Sequence, residues 1–272
     1  MKKIIIPFDG GHFSEGAFKL ASILNETNPV LLTGVFLPEV DFAKIFFFPT
    51  AFAAPVYIPG AEEFEEKTIE RNIKVFKELC QKNNIKYNIH KDLYDTSIAM
   101  LTKESRFADL MIIGSEVFYT NGSGGPFEYL KDTLHHAECP VMIVPEKFKQ
   151  PSQVILAYDG SESSVYAIKQ FAYLFPELCK LDTKLVYFGD EKKEIPRKES
   201  IEELARAHFD KFSMTSVSSE DKNSFDEWLS EHWNPILVSG SFNRSGISAL
   251  FKRSFVMQTI IQHKTSVFIA HD

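Results

Sequence analysis

A stretch near the C-terminus combines residue types that bind phosphate in loops. Residues 240–254 read GSFNRSGISALFKRS and follow the apolar run at 235–238 closely. Glycine lets backbone N–H groups approach phosphate oxygens, a serine hydroxyl adds a donor, and arginine pairs with phosphate through two N–H groups. The stretch is therefore either a loop that holds phosphate or the remnant of such a loop.

Other apolar runs of the chain also end in residues that suit a ligand site. The runs IIIPF and VILAY are each closed by Asp-Gly, and LMII and ILVS are each closed by glycine. Turn chemistry explains any one of these positions, because strand-to-helix turns favour Gly and Asp. Their recurrence at matching places in both halves favours an ancestral site. The closing residues are Asp9, Gly10, Gly114, Asp159, Gly160 and Gly240.

Strands and helices alternate through both halves of the sequence. Further strands are predicted near 30–36, 85–90, 183–188 and 209–216, last strands at 141–144 and 267–270, and further helices near 62–82, 97–105, 198–207 and 222–231. Ser14 and Ser161 are the predicted N-caps of the first helix in each half. Such alternation is typical of an α/β fold with a parallel sheet covered on both faces.

We therefore predict two tandem doubly wound domains, residues 1–148 and 152–272, joined by a linker near 147–152. In such sheets, ligands bind outside the carboxyl ends of the strands, where the strand order reverses. The closing aspartates and glycines stand at these ends.

The chain resembles the universal stress protein family in its tandem, two-domain form. The resemblance lies in the two strands ending Asp-Gly, in DLMIIG at 109–114, and in AECPVMIVP at 137–145, which is similar to the family's usual last strand. It implies two Rossmann-like, adenine nucleotide alpha hydrolase-like domains, each with a five-stranded, mainly parallel sheet. It also implies pairing of last strands, which a tandem chain satisfies as an internal pseudo-dimer; a further homodimer stays open.

Nucleotide-binding members of this family share a loop that reads Gly, two residues, Gly, nine residues, Gly, then Ser or Thr. Laid on the second half, the motif falls on Gly240, Asn243, Arg253 and Ser254, and the family's Arg-Ser-Gly is matched by Arg244 to Gly246. Asn243 is a tolerable replacement because Asn adopts left-handed backbone angles more easily than other non-glycine residues. Arg253 either blocks the loop or pairs with phosphate.

The first half has lost most of the same motif. Its register gives Gly114, then Val117, Phe127 and Glu128, so three of the four positions are replaced. A β-branched residue is costly where a glycine angle is needed, and a carboxylate repels phosphate. The glycine-rich stretch NGSGGP at 121–126 lies inside the spacer. We expect that this half does not hold ATP in the family manner.

The resemblance implies a cytoplasmic, universal-stress-type binding or regulatory protein, with ATP or another adenine nucleotide in the second domain. There Asp159, beside Gly160, would lie near the adenine or ribose, and the loop residues would meet the phosphates. The alternative is an interaction scaffold without nucleotide. A weak nucleotide hydrolase comes third, because the sequence shows no evident general base or Mg²⁺ carboxylate, and no catalytic residue is assigned.

Composition and residue pattern argue against several classes of function. With 37 acidic and 30 basic side chains, the net charge of -7 argues against sequence-independent nucleic acid binding. The N-terminal residues do not form a signal sequence, which favours the cytoplasm, and the Phe- and Pro-rich segment 37–60 is too broken to span a membrane. No metal site is expected: the three cysteines are unclustered, and His135-His136 is predicted at a helix C-terminus.

Overall fold

The computed structural model describes most of the chain. The described residues are 1–9, 12–37, 61–91, 97–116, 126–189, 194–218, 228–229, 232–240, 259–260 and 262–270. The segment 38–60 and most of the predicted helix at 222–231 lie outside them, and so does the stretch 241–258.

Strands and helices alternate through the described residues as the sequence predicts. The strands are β1 Lys2–Asp9, β2 Val30–Leu37, β3 Lys86–Lys91, β4 Leu110–Gly114, β5 Val141–Val144, β6 Gln153–Tyr158, β7 Asp182–Gly189, β8 Lys211–Ser218, β9 Pro235–Gly240 and β10 Ser266–Ala270. The helices are α1 Glu15–Thr27, α2 Ala61–Lys82, α3 Ser97–Ser105, α4 Pro126–His136, α5 Glu162–Leu174 and α6 Lys198–His208, with a 3₁₀ turn at Leu178–Lys180.

The chain divides into two compact units, Met1–Cys139 and Pro140–Asp272. In the first unit the strand order is β3-β2-β1-β4, and the measured pairs are parallel. The apolar middle of β1 and the whole of β4 are buried, which is typical of parallel strands covered on both faces. The α/β, mainly parallel fold predicted from the sequence is confirmed.

The second unit contains the strand order β5-β10-β9-β6-β7-β8. Its pairs are parallel except for β5 and β10, which run antiparallel with Val267 opposite Ile143 and Ile269 opposite Val141. The expected neighbourhood of 141–144 and 267–270 is thereby confirmed. The division between the units falls before β5, whereas the domain limits 1–148 and 152–272 remain a prediction from sequence.

The predicted linker 147–152 is held against the second unit. The side-chain amide of Asn234 donates to the carbonyl of Gln150 at 2.7 Å, and the backbone N–H of Ser152 donates to the carbonyl of Asn234 at 3.2 Å. Asn234 itself has a φ of 43°, in the left-handed region that Asn tolerates. These bonds fix the chain just before β6.

Two helix starts agree with the sequence, and one strand start does not. The hydroxyl of Ser14 accepts from the N–H of Ala17 at 3.3 Å, and that of Ser161 accepts from the N–H of Ser164 at 3.1 Å, so both predicted caps are confirmed. The strand predicted at 209–216 begins instead at Lys211, because α6 continues to His208 and the chain must then leave the helix.

Candidate functional site

The strand order of the second unit reverses between β6 and β9. These strands are parallel neighbours, with Leu156 opposite Val238, so their carboxyl ends lie side by side. Asp159 follows β6 and Gly240 ends β9. We call the edge formed by Asp159, Gly160, Gly240 and the first turn of α5 the switch-point edge. It is where an open α/β sheet binds ligands.

A tight turn links β6 to α5. The Asp159 carboxylate accepts the N–H of Ser161 through Oδ1 at 2.9 Å, and Ser161 then caps α5. Gly160 has a φ of +83°, and a Cβ at this position would lie 2.9 Å from the Cβ of Pro196. Only glycine fits the turn without strain, for both conformational and steric reasons.

Gly240 lets the end of β9 touch the start of α5. A Cβ on Gly240 would stand 2.7 Å from the carbonyl carbon of Ser163 and 2.7 Å from the backbone nitrogen of Ser164. Backbone atoms cannot move aside as the end of a side chain can, so the contact requires glycine. The N–H end of α5, with its partial positive charge, is thereby placed between Asp159 and the start of the predicted phosphate loop.

The segment just before α6 also reaches this edge. The Tyr158 hydroxyl donates to the carbonyl of Pro196 at 2.9 Å, just before α6 begins. Burial raises the pKa of Tyr158, the charge of Arg197 opposes this increase, and the charge of Asp159 adds to it. The Tyr158 side chain therefore lies within electrostatic range of both charges. Sequence reasoning missed Pro196 and Arg197, because no local pattern links them to Tyr158.

The other predicted residues of the phosphate loop lie outside the described part of the chain. Asp159, Gly160 and Gly240 are brought together, whereas the structure gives no position for the rest. The latter are Asn243, Arg244, Gly246, Arg253 and Ser254. The described part of the candidate site therefore consists of the two strand ends and the first turn of α5.

The corresponding edge of the first unit has the same parallel strand pairing. Asp9 ends β1 and Gly114 ends β4, and these strands pair in parallel with Ile4 opposite Leu110. Gly10 and Val117 lie outside the described residues. Beyond Gly114, the hydroxyl of Ser115 donates to the Glu116 carboxylate at 2.6 Å. A carboxylate therefore lies just after Gly114, where the register predicted from the sequence would begin a phosphate loop.

A cluster of phenylalanine rings packs beside this edge of the first unit. Phe13, which lies between β1 and α1, stacks on Phe8 with ring centroids 4.7 Å apart, and Phe8 stacks on Phe36 at 5.0 Å. Phe76 of α2 meets both Phe8 and Phe36 edge-on. We call these four residues the phenylalanine cluster; no local pattern in the sequence predicts it.

The second unit has different rings at the equivalent positions of its strands. Phe8 and Tyr158 each precede the Asp-Gly pair, and their strand partners are Phe36 and Tyr187. Aligning KIIIPFDGG with QVILAYDGS would have revealed the exchange of Phe8 for Tyr158. The first unit is therefore apolar where the second unit places a hydroxyl group.

Within the described ranges, no group of three His, Cys, Asp or Glu side chains is placed to hold a metal ion. His136 ends α4 and donates through Nδ1 to the carbonyl of Asp132 at 2.8 Å, which confirms the predicted helix end. Among the helices that the structure describes, none combines the length and apolar character needed to cross a bilayer.

Comparison with solved structures finds the same fold over nearly the whole chain. A universal stress protein from Archaeoglobus fulgidus aligns with a TM-score of 0.62 at 13% identity, covering 99% of this chain and 96% of its own. A Pseudomonas aeruginosa protein assigned to the universal stress proteins aligns with a TM-score of 0.58 at 10% identity, covering 100% and 93%.

The cytoplasmic domain of a prokaryotic cation chloride cotransporter aligns almost as well. Its TM-score is 0.55 at 10% identity, covering 100% of this chain and 95% of its own. No family model and no curated protein matches the sequence. The chain has the fold found in universal stress protein structures, and proteins of different roles share that fold.

Proposed function

We propose that the chain belongs to the universal stress protein family in its tandem form, and that it binds an adenine nucleotide at the switch-point edge of its second unit. One observation carries the proposal: Gly240 touches the backbone of Ser163 and Ser164, which brings the start of the predicted phosphate loop beside the Asp159 turn. Two segments assigned to one ligand from sequence are thereby neighbours in space. The protein would act by binding and regulation.

The proposed roles follow from the chemistry of each group. Asp159 uses Oδ1 to accept the N–H of Ser161, so Oδ2 is the oxygen assigned to a ribose hydroxyl or an adenine amino group. Gly240 opens the loop, and the N–H end of α5 favours a nearby phosphate. Ser254 and the loop arginines, Arg244 and Arg253, would donate to the phosphate oxygens.

The first unit is proposed to work without a nucleotide. In its phenylalanine cluster, Phe8 occupies the strand position that Tyr158 has in the second unit. Phe8, Phe36 and Phe76 are almost wholly buried. The Glu116 carboxylate also disfavours an anion there. The role of this unit in the proposal is to support the fold or to contact a partner.

A second candidate function is an interaction scaffold in which neither unit binds nucleotide. The phenylalanine cluster favours it for the first unit. The fold shared with the cytoplasmic domain of a cotransporter is also compatible, because that domain shows the fold outside the universal stress proteins. In this case Arg253 would fill the phosphate position of the second unit.

The first test is mass spectrometry of small molecules released by denaturing protein that was purified without added nucleotide, followed by calorimetric titration with ATP. The proposal expects one of two results. Either the purified protein releases about one nucleotide per chain, or the titration gives heat that saturates near one ATP per chain. Protein that releases no nucleotide and gives no heat with ATP, AMP or adenosine would contradict it and favour the scaffold.

A further inference from the structure

The residues before α6 are pinned against the switch-point edge. The carbonyl of Pro196 accepts a hydrogen bond from the Tyr158 hydroxyl at 2.9 Å, and the Cβ of Pro196 lies 2.9 Å from where a Cβ on Gly160 would stand. Two contacts from neighbouring positions on β6 and its turn therefore fix Pro196. Because Arg197 follows it directly, the backbone of Arg197 is held beside the same turn.

Arg197 is an unusual residue for this position. Its backbone is left-handed, with φ 49° and ψ 42°, a conformation that a long side chain rarely adopts. It precedes α6 without capping the helix through its side chain. Glycine or asparagine would suit this conformation better, so stability does not explain the choice of arginine.

The side chain of Arg197 is exposed, and within the described residues it forms no hydrogen bond or ion pair. The charges of Asp159 and Arg197 both act on the Tyr158 hydroxyl, yet Arg197 and Asp159 do not form an ion pair. Two further acids of the described segment before and within α6, Glu194 and Glu199, are also exposed and do not bond to it.

We propose that Arg197 contacts the phosphoryl group of the bound ligand at the switch-point edge, as a phosphate-binding residue supplied from outside the phosphate loop. The inference rests on the proposed nucleotide binding. A guanidinium recognises phosphate with two parallel N–H groups, and a fixed backbone reduces the entropy that such a contact costs. The edge would then hold phosphate between Arg197 and the N–H end of α5.

The test compares ligands with and without phosphate on matched variants. Wild-type protein, Arg197→Gly and Lys198→Ala are titrated with AMP, adenosine and inorganic phosphate. Arg197→Gly removes the guanidinium and suits the left-handed backbone, so its melting temperature should equal or exceed that of the wild type. Its affinity for AMP should fall about tenfold or more, as for loss of a charged hydrogen-bond pair, with adenosine affinity unchanged.

Lys198→Ala is the control for net charge, because it removes a positive charge one residue away. Its AMP affinity should stay within about twofold of wild type, since a solvated charge is screened by salt. Arg197→Asn, which also tolerates the left-handed backbone, serves as a second variant in case the glycine variant is unstable. Arg197→Lys should recover part of the AMP affinity, because it keeps the charge and loses the paired donors.

The outcomes separate the inference from the proposed function. If the wild type binds AMP and adenosine, and Arg197→Gly weakens both equally or neither, the inference is wrong and the proposed function stands. A wild type that binds none of the three ligands overturns the inference, and the proposed function falls with it if ATP gives no heat either. If inorganic phosphate binds as tightly as AMP, adenosine does not bind, and Arg197→Gly weakens the phosphate binding, Arg197 is an anion contact and the nucleotide is excluded as the source of the anion.

Discussion

At the residue scale, Asp159 has one observed role and one proposed role. Its Oδ1 holds the turn before α5 by accepting from Ser161, and the proposed function assigns the ligand to its Oδ2. Asparagine retains the first oxygen and replaces the second with an amide that donates. Alanine removes both. The two substitutions therefore distinguish a structural role from a binding role.

We predict that Asp159→Asn keeps the wild-type melting temperature and lowers nucleotide affinity by about tenfold, because one acceptor near the ligand becomes a donor. Asp159→Ala should lower affinity similarly and also lower the melting temperature, since the N–H of Ser161 loses its partner. Isothermal calorimetry and thermal unfolding measure the two effects. Unchanged affinity in both variants would remove Asp159 from the site.

The first unit offers a matched control for this pair. Asp9 ends β1 as Asp159 follows β6, and the proposal leaves the first unit without nucleotide. Asp9→Ala should therefore leave the calorimetric affinity and stoichiometry for ATP unchanged. A loss of binding comparable to that of Asp159→Ala would place a ligand in the first unit and contradict the assigned asymmetry.

The sequence could predict those candidate site residues whose position follows from their local type. Asp159, Gly160 and Gly240 stand at strand ends, where turn chemistry and topology both point to them. Arg197 could not be found in this way, because it is placed by the contacts of Pro196 with Tyr158 and Gly160, which lie far away in sequence. The contact that makes Gly240 necessary is also with a distant helix of the chain.

At the element scale, the helix starts were the most predictable feature. A serine followed by a helical apolar pattern marked both α1 and α5, and both hydroxyls accept the expected N–H group. Strand β8 begins later than predicted, because helix propensity does not determine how far α6 continues. The final turn of that helix depends on packing, with Ala205 and Phe209 both buried.

We predict that Ser14→Ala and Ser161→Ala each lower the free energy of unfolding by about 0.5–2 kcal/mol, the usual cost of losing an N-cap. Ser14 is fully buried, so its replacement should lie toward the upper part of that range. Urea denaturation with unchanged m-values would measure both effects. The control is Glu26→Ala, at an exposed position near the end of α1, which should change the free energy of unfolding by under about 0.5 kcal/mol.

At the scale of the whole molecule, three thiols report on both units. Cys80 and Cys139 lie in the first unit and Cys179 in the second; all three are free and buried, as expected for core residues. Burial raises the pKa of each thiol to about 12. At neutral pH the folded protein therefore holds them as thiols, which do not react as nucleophiles.

We predict that iodoacetamide at about pH 8 labels none of these three thiols in the native protein and all three in urea, as counted by mass spectrometry. Stability should be independent of the thiols well below pH 9, where folded and unfolded chains both keep the protons. It should decline between about pH 9 and pH 12, because only the unfolded chain loses protons there. Rapid native labelling of Cys179 alone would show that the second unit opens locally.

The repeat in the sequence was enough to predict two α/β halves with parallel sheets. Matching apolar runs, closing glycines and paired Asp-Gly turns all reflect local strand and turn chemistry. The grouping of β5 with β10 is not visible in that pattern, since antiparallel pairing depends on which strands meet after folding. The resemblance to a known family supplied that expectation.

The pairing of β5 with β10 determines where the gene can be divided. A fragment that starts at Ser152 would lack the four residues of β5, so the edge of β10 would have no strand partner. This exposed edge would carry the apolar residues Val267, Phe268 and Ile269. Such an edge pairs readily with other chains, so this fragment would aggregate on expression. A recombinant fragment that starts at Pro140 retains β5, so β10 keeps its strand partner.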